Sequence, residues 1–486
     1  MNISQINVGI IHSLIGKNDG VSIVIDQTVY AMVHDMGIPL GNIFFLAAHS
    51  SPRFNAETND IFWHKNEIHK HIVKHFCDEP DNGLDKLIHE KALEAKQIIA
   101  TWVKKHNIDL IIAHNTSHPY NFITAVGLGY YIEELRDEGI IWPKVMAWWH
   151  DSYFERPQFA HPNKVIQKYL KYLPGTEIDG LAFINSTQPE LARKLFQTIN
   201  YFRVDKFFEE RAIIVPNTSS IDWVWETCDW QNAKMVAPPQ DNYNENFLTD
   251  IGLTCEIEQR GFSIGDTVLL LQHTRVVPRK KIETAIDFAF GIEKMFAANH
   301  KRKCVALIIS GHSGDEQVNY KNFLQGHYQQ KLEENPGANV VLVFGEHRIL
   351  SHRDIIVDKK YYNFYEVPSI IASHGGIGTY FSEIEGFGNN LLEMVSFGLP
   401  VVINKYDVYK NDIEGYGFDF PAIENGILTQ KAIEEGYRLL NDFTYRNRVA
   451  RHNLEVLNTK LAHKIIAEKL KPMILKMFTR IINLNI

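Results

Sequence analysis

The sequence predicts an α/β protein built from two parallel sheets, each flanked by helices. Two observations predict it. Short apolar runs alternate with longer helix-like stretches through the first half, which sets strands side by side with helical crossovers. The alternation then starts afresh at Val268 after a loop-rich stretch, and 486 residues suffice for two or three domains.

In the first half the strand-like runs are residues 6–11, 42–47, 110–113, 145–149, 180–184 and 212–215. Residues 21–32, 84–105 and 189–199 have helical periodicity. Val215-Pro216-Asn217-Thr218 reads as the turn closing this half. The second half offers strands at 268–271, 304–310, 340–344 and 401–403, and a helix over 282–296. Residues 451–486 are helical in pattern, with Pro472 expected to interrupt them. The expected domains are 1–225, a linker and entry segment 226–261, a second domain 262–450, and C-terminal helices 451–486 crossing back to the first.

Composition excludes several classes. A hydrophobic share of 45% and a charged share of 22% are those of an ordinary globular chain. A net charge of −8 argues against nucleic acid as a partner. Cys77, Cys228, Cys255 and Cys304 lack Cys-x-x-Cys spacing, so reduced thiols are expected, not a disulfide framework or a zinc site. The N-terminus lacks a basic region followed by an apolar one, and no apolar run is long enough to span a bilayer. A cytoplasmic protein is expected.

The chemistry-bearing residues follow strands, where parallel sheets bind ligands. Glu385-Gly386-Phe387-Gly388-Asn389 reads as a glycine loop opening a helix that carries Leu391, Leu392, Met394 and Val395, with Glu393 on it. Amides at a helix start hold anions, and glycines let the backbone approach closely. A carboxylate there suits hydroxyls, so a sugar carried on a nucleoside diphosphate fits both groups. A plain helix-opening turn with surface acids is the alternative. Arg275 and Lys280, on the loop after strand 268–271, either converge on a diphosphate or form a solvated basic loop.

His114, Asn115 and His118 follow one strand; Trp148-Trp149-His150-Asp151 ends the next. They suit a hydroxyl-rich acceptor or a sugar. The alternatives are a helix cap at Thr116 or Ser117 and a buried structural histidine. Gly16-Lys17-Asn18-Asp19-Gly20 opens the first helix and is neither a Walker loop nor a dinucleotide fingerprint, which argues against a nicotinamide enzyme. Ser373-His374-Gly375-Gly376-Ile377-Gly378-Thr379 reads as a flexible turn. His64, His69, His71 and His75 invite a metal reading, and His71 and His75 share a helix face. Lys65, Lys70 and Lys74 oppose a cation and no carboxylate completes a site, so a solvated helix is expected. The basic tail suits either docking on the first domain or a membrane surface; the acidic net charge favours docking.

The run Glu385-Gly386-Phe387-Gly388, then Glu393, then Gly398-Leu399-Pro400-Val401-Val402, resembles the donor-site signature of the retaining glycosyltransferases of family four. Phe381-Ser382 stands where that family usually has Pro-Ser. The resemblance implies the GT-B fold, two Rossmann-like domains facing across a cleft. It implies transfer of a hexose from a UDP- or GDP-sugar to an acceptor hydroxyl, with no metal. Arg275 and Lys280 resemble the family's diphosphate pair. Glu393 stands where the family binds ribose, and Glu385 with Gly386, Phe387, Gly388 and Asn389 where it binds the donor sugar. Gly20 falls on the N-terminal loop of the cleft, and His150 matches the cleft histidine. The implied catalytic set is His150, Arg275, Lys280 and Glu385, with His114, Asn115, His118 and Asp151 toward the acceptor. The run from His150-Asp151 to Glu155-Arg156 resembles a branch acting on small acids and polyols, of the glucosyl- and mannosylglycerate type. A sugar-nucleotide epimerase or hydrolase on the same fold, or a non-catalytic nucleotide-sugar-binding protein, are the other readings.

Overall fold

The computed structural model describes residues 2–17, 19–52, 54–173, 175, 178–198, 204–219, 241–312 and 318–479. Residues 226–240 of the expected linker, with Asn18 and the last seven residues, lie outside the described residues. The chain divides into two units: residues 1–218 with 463–486, and residues 219–462.

The first unit holds a seven-stranded sheet. Its strands are β1 (Val8–Ile11), β2 (Ile43–Ala47), β3 (Ala56–Thr58), β4 (Leu110–His114), β5 (Lys144–Trp149), β6 (Gly180–Phe183) and β7 (Ala212–Ile214). They lie in the order β3-β2-β1-β4-β5-β6-β7, all parallel. Val8 pairs with Ile43 on one side and Leu110 on the other, so the order reverses beside β1. The second unit repeats the plan with β8 (Thr267–Gln272), β9 (Cys304–Ile309), β10 (Val340–Phe344), β11 (Ile377–Tyr380), β12 (Val401–Lys405) and β13 (Ala422–Glu424), in the order β10-β9-β8-β11-β12-β13. Its reversal falls between β9-β8 and β11. Doubly wound sheets bind ligands at the carboxyl ends of the strands at such reversals, because the flanking loops diverge there and leave a crevice.

Apolar runs become strands here because both faces are covered; β1, β4, β5, β6 and β9 are buried throughout. The helices that matter below are α1 (Gly20–His34), α2 (Glu67–Lys74), α3 (Leu84–His106), α4 (Phe122–Asp137), α5 (Ile282–Ala298), α6 (Asn389–Ser396), α7 (Phe443–Lys460) and α8 (Lys464–Thr479). α3 ends in left-handed Asn107, which stops the helix and returns the chain to β4. α3 and α4 pack closely because Gly127 has no side chain; a Cβ there would lie 2.7 Å from that of Ala95.

The tail departs from expectation in two ways. α7 belongs to the second unit, so the change of unit falls at 462/463 and not near 451. α8 also runs through Pro472 unbroken. Its apolar face is buried in the first unit, with Met473 and Met477 over Gly180 and Phe478 against Trp142, and this packing outweighs the hydrogen bond that proline removes. Among the described residues no helix is long and apolar enough to cross a membrane.

The expected flexible turn at 373–379 is a second correction. Ser373 ends a helix and residues 377–379 lie in central strand β11. Its glycines pack tightly: a Cβ on Gly376 would lie 2.4 Å from Ile371, and one on Gly378 2.6 Å from Met394. Buried Arg446 donates to the carbonyls of Gly375 and, at 2.6 Å, Gly376. β3, β11 and β13 were invisible to the apolar-run criterion, being short, glycine-bearing or at an edge.

Gly311 fixes the loop after β8. A Cβ there would lie 1.9 Å from the Thr274 carbonyl oxygen, one residue before Arg275. Gly311→Ala should lower stability by at least about 1–3 kcal/mol, the usual overpacking cost. A thermal melt indistinguishable from that of the unaltered chain would refute this packing.

Candidate active site

In the second unit, the loops leaving β8 and β11 emerge side by side at the strand reversal. After Gln272 the chain passes His273, Thr274 and Arg275 to a short turn, Pro278–Lys280. Lys280 is 3% exposed, and its Nζ donates to Glu385 Oε1. Arg279 Nη1 donates to Glu385 Oε2 at 3.0 Å and to the Ile384 carbonyl at 2.6 Å. Burial pushes the Lys280 ammonium down, Glu385 partly restores it, and it settles at about 8. Burial pushes Glu385 up, but Lys280 and Arg279 more than reverse this, to about 2. Both therefore stay charged at neutral pH. Arg275 is exposed, and its charge is felt by Lys280. Lys281, the other neighbouring cation, pairs instead with Glu383 at 3.4 Å.

The glycine loop meets its helix as the sequence suggests. Gly388 has φ +120°, and a Cβ there would strike Tyr406 Oη at 2.3 Å. Tyr406 donates to the Phe387 carbonyl at 2.6 Å, fixing the turn into α6. Glu393, one turn further on, is 6% exposed. Its Oε2 accepts from Asn390 Nδ2 at 3.1 Å and lies 3.5 Å from His273 Nε2. Its Oε1 is buried without a hydrogen-bond partner. An unpaired buried carboxylate oxygen is costly, which is the condition for one awaiting a hydroxyl donor. His273 is held by Ser310 Oγ at 2.8 Å and stacks on Phe364 at 3.9 Å.

In the first unit, histidines gather at the carboxyl ends of β1, β4 and β5. His114 Nδ1 and His150 Nε2 lie 2.9 Å apart, and His12 Nδ1 is 3.2 Å from the His114 carbonyl oxygen. Burial pushes His12 and His114 down, His150 to about 3, and His118 and His64 to about 4, so all five rings are neutral at pH 7. A carbonyl only accepts, so His12 carries its proton on Nδ1. One proton lies between His114 and His150. On His114 Nδ1 it leaves the buried, unpartnered His114 Nε2 as an acceptor, cheaper than an orphaned donor, and His150 then carries its own proton on Nδ1.

Asp151 Oδ2 accepts from Arg156 Nε at 2.7 Å and from Arg156 Nη2, and His118 Nε2 lies 3.9 Å away. Asn115 Oδ1 accepts from the Asp151 amide at 3.0 Å. The expected cap at Thr116 or Ser117 is made instead by His118, whose Nδ1 accepts from Tyr120 N; Ser117 Oγ donates to the Asp151 carbonyl at 2.7 Å. At Gly20, the Asp19 carboxylate accepts from the amides of Val21 and Ser22, both at 3.1 Å. A diphosphate would need those amides and would meet that charge.

Among the sequence-predicted residues the structure brings together Lys280 with Glu385, His114 with His150, and Asn115 with Asp151. Sequence reasoning passes over Arg279, His273, Tyr406 and His12, which act through contacts distant in the chain. Only the place of His273 and Arg279 beside the predicted basic pair hints at them. The metal reading also changes: Asp81 supplies the carboxylate the sequence seemed to lack, its Oδ2 lying 2.8 Å from His71 Nε2. The loop 75–83 brings it back to the helix face.

Two doubly wound units with this donor loop define a glycosyltransferase of the GT-B fold. It is distantly homologous to mannosylglucosylglycerate synthase. The Petrotoga mobilis protein of that name is 24% identical over 493 aligned positions, covering 92% of this chain and 96% of that one. No family model matches. Among solved structures, α,α-trehalose 6-phosphate synthase from Burkholderia multivorans aligns with a TM-score of 0.61 at 10% identity, over 98% of this chain and 99% of that one. The Anabaena protein HepE, solved with UDP and glucose, aligns with a TM-score of 0.54 at 12% identity, over 96% and 98%. These two likenesses establish the fold.

Removing one partner of a buried ion pair strands the other. Glu385→Gln and Lys280→Met should each destabilise by about 3–5 kcal/mol, and the double variant by markedly less than their sum. Additive losses in denaturant melts would mean that the two charges do not compensate each other.

Proposed function

We propose that this glycosyltransferase moves a hexose, glucose or mannose, from a UDP- or GDP-sugar to a hydroxyl of a small polar acid or polyol, with retention of anomeric configuration. The observation that carries this is Lys280, buried and charged at the reversal of the second sheet, with the unpartnered oxygen of Glu393 on the neighbouring helix. Lys280 and Arg275 neutralise the diphosphate, so its departure needs no metal. Glu393 Oε1 accepts from a ribose hydroxyl. Glu385 holds Lys280 charged and, having lone pairs to spare, accepts from the donor sugar beside the 386–389 loop.

His150 hydrogen-bonds the sugar, and His114 orients it. Neither is the base. An imidazole at about 3 is a far weaker base than a phosphate, whose second pKa is about 6. The departing phosphate therefore takes the acceptor's proton. Asn115 holds the backbone of Asp151 with His118 close by, and Asp151 orients Arg156, the half-exposed cation of this group. Its guanidinium suits the carboxylate of a small acid, in keeping with the name of the Petrotoga relative. Gly20 is left out of this donor site, because Asp19 occupies the amides beside it.

A thermal-shift screen of UDP-, GDP- and ADP-sugars identifies the donor, since a ligand bound only by the folded state raises the melting point. Turnover with and without small hydroxy acids follows. Full-rate donor consumption without any acceptor would instead support a hydrolase or epimerase, and binding without turnover a carrier of nucleotide sugars.

Lys280→Ala should lower turnover by about 10²-fold or more. In the unaltered enzyme, donor binding should weaken as pH rises through about 8, because Lys280 loses its proton there. A donor affinity flat from pH 7 to 9, or near-normal turnover in Lys280→Ala, would remove Lys280 from the mechanism.

A further inference from the structure

We propose that His71, His75 and Asp81 form a binding site for a late first-row divalent cation, zinc above all, that staples the 75–83 loop to the end of α2. The site belongs to the first unit and is independent of glycosyl transfer.

His71 and His75 lie one helical turn apart with ring centroids 4.7 Å apart. His75 Nδ1 is 3.3 Å from the Glu79 carbonyl oxygen. A carbonyl only accepts, so Nδ1 carries the proton and Nε2 keeps its lone pair. Metal-binding histidines are oriented in this way by a hydrogen bond from the other ring nitrogen. Asp81 is aimed by a similar device. Its Oδ1 accepts from the Gly83 amide at 3.0 Å while Oδ2 faces His71 Nε2. One potential ligand atom from each residue lies within 4.8 Å of the other two. Ligands of a tetrahedral zinc at 2.0–2.2 Å stand about 3.4 Å apart, so a modest closing of the side chains seats the ion.

The loop that supplies Asp81 is tied down. Asn163 Nδ2 donates to the His75 carbonyl and, at 3.0 Å, to the Asp78 carbonyl. Two imidazoles and one carboxylate suit zinc, cobalt or nickel and are poor ligands for calcium or magnesium. His71 and Asp81 are each partly exposed, which leaves a fourth position for water. Lys70 is spent on Glu67 at 2.7 Å, which reduces the opposing charge.

The test uses the full chain, untagged and stripped with a chelator, at pH 7.5. Cobalt is titrated by visible absorption and zinc by calorimetry. One equivalent should bind, with the intense bands of tetrahedral cobalt, and zinc should raise the melting temperature. His75→Ala and Asp81→Asn should weaken binding by about 10–100-fold or more and abolish the zinc-dependent shift. All three are surface groups, so both variants should melt like the unaltered chain without metal. Absence of one-to-one zinc binding below about 100 µM, a concentration at which far tighter structural sites are filled, would overturn the proposal. So would an affinity unchanged in both variants.

Discussion

Lys280 and Glu385 come from positions 105 residues apart and meet where the second sheet reverses its strand order. Neither is stable there alone. A lysine this buried tends to lose its proton, and a carboxylate this buried tends to gain one. Together, with Arg279 on the other carboxylate oxygen, both keep their charges. The pair joins the loop after β8 to the loop before α6, and it keeps a protonated ammonium away from water. Bulk solvent weakens an ionic contact with phosphate several-fold relative to a partly buried site, so shielding is what makes this cation useful. Gly311, Gly388 and Tyr406 serve the same end by fixing the two loops that carry the charges.

The two units use one topology for different chemistry. At its strand ends the second unit carries cations and carboxylates, which suits a charged diphosphate and a ribose. At the corresponding strand ends the first unit carries neutral imidazoles beside the Asp151–Arg156 pair. Neutral rings donate and accept hydrogen bonds without attracting a charged group. Hydroxyl-rich molecules suit this kind of directional, uncharged surface.

Much of this was legible in the chain. Buried parallel strands are almost wholly apolar, so β1, β4, β5 and β9 stood out as runs. The glycines and the two glutamates of the donor loop stood out by spacing. β11 did not, because Gly376 and Gly378 look like a turn when the helix that requires them is out of view. The cap at His118 was missed because its neighbours Thr116 and Ser117 are the usual capping residues. Arg279 was passed over because position in a turn, and not residue type, decides which of three adjacent cations faces a carboxylate. Asp81 was missed because a loop of six residues returns it to the histidines, a closure that spacing along a helix does not reveal.

The central claim is that the buried ammonium of Lys280 receives the donor's diphosphate. Calorimetric binding of UDP or GDP near pH 8, in buffers of different ionisation enthalpy, counts the protons exchanged. The account predicts net proton uptake, because the diphosphate raises the pKa of a lysine that sits at about 8, and predicts that Lys280→Met abolishes the uptake. Binding with no proton uptake, or uptake that persists in Lys280→Met, would contradict it.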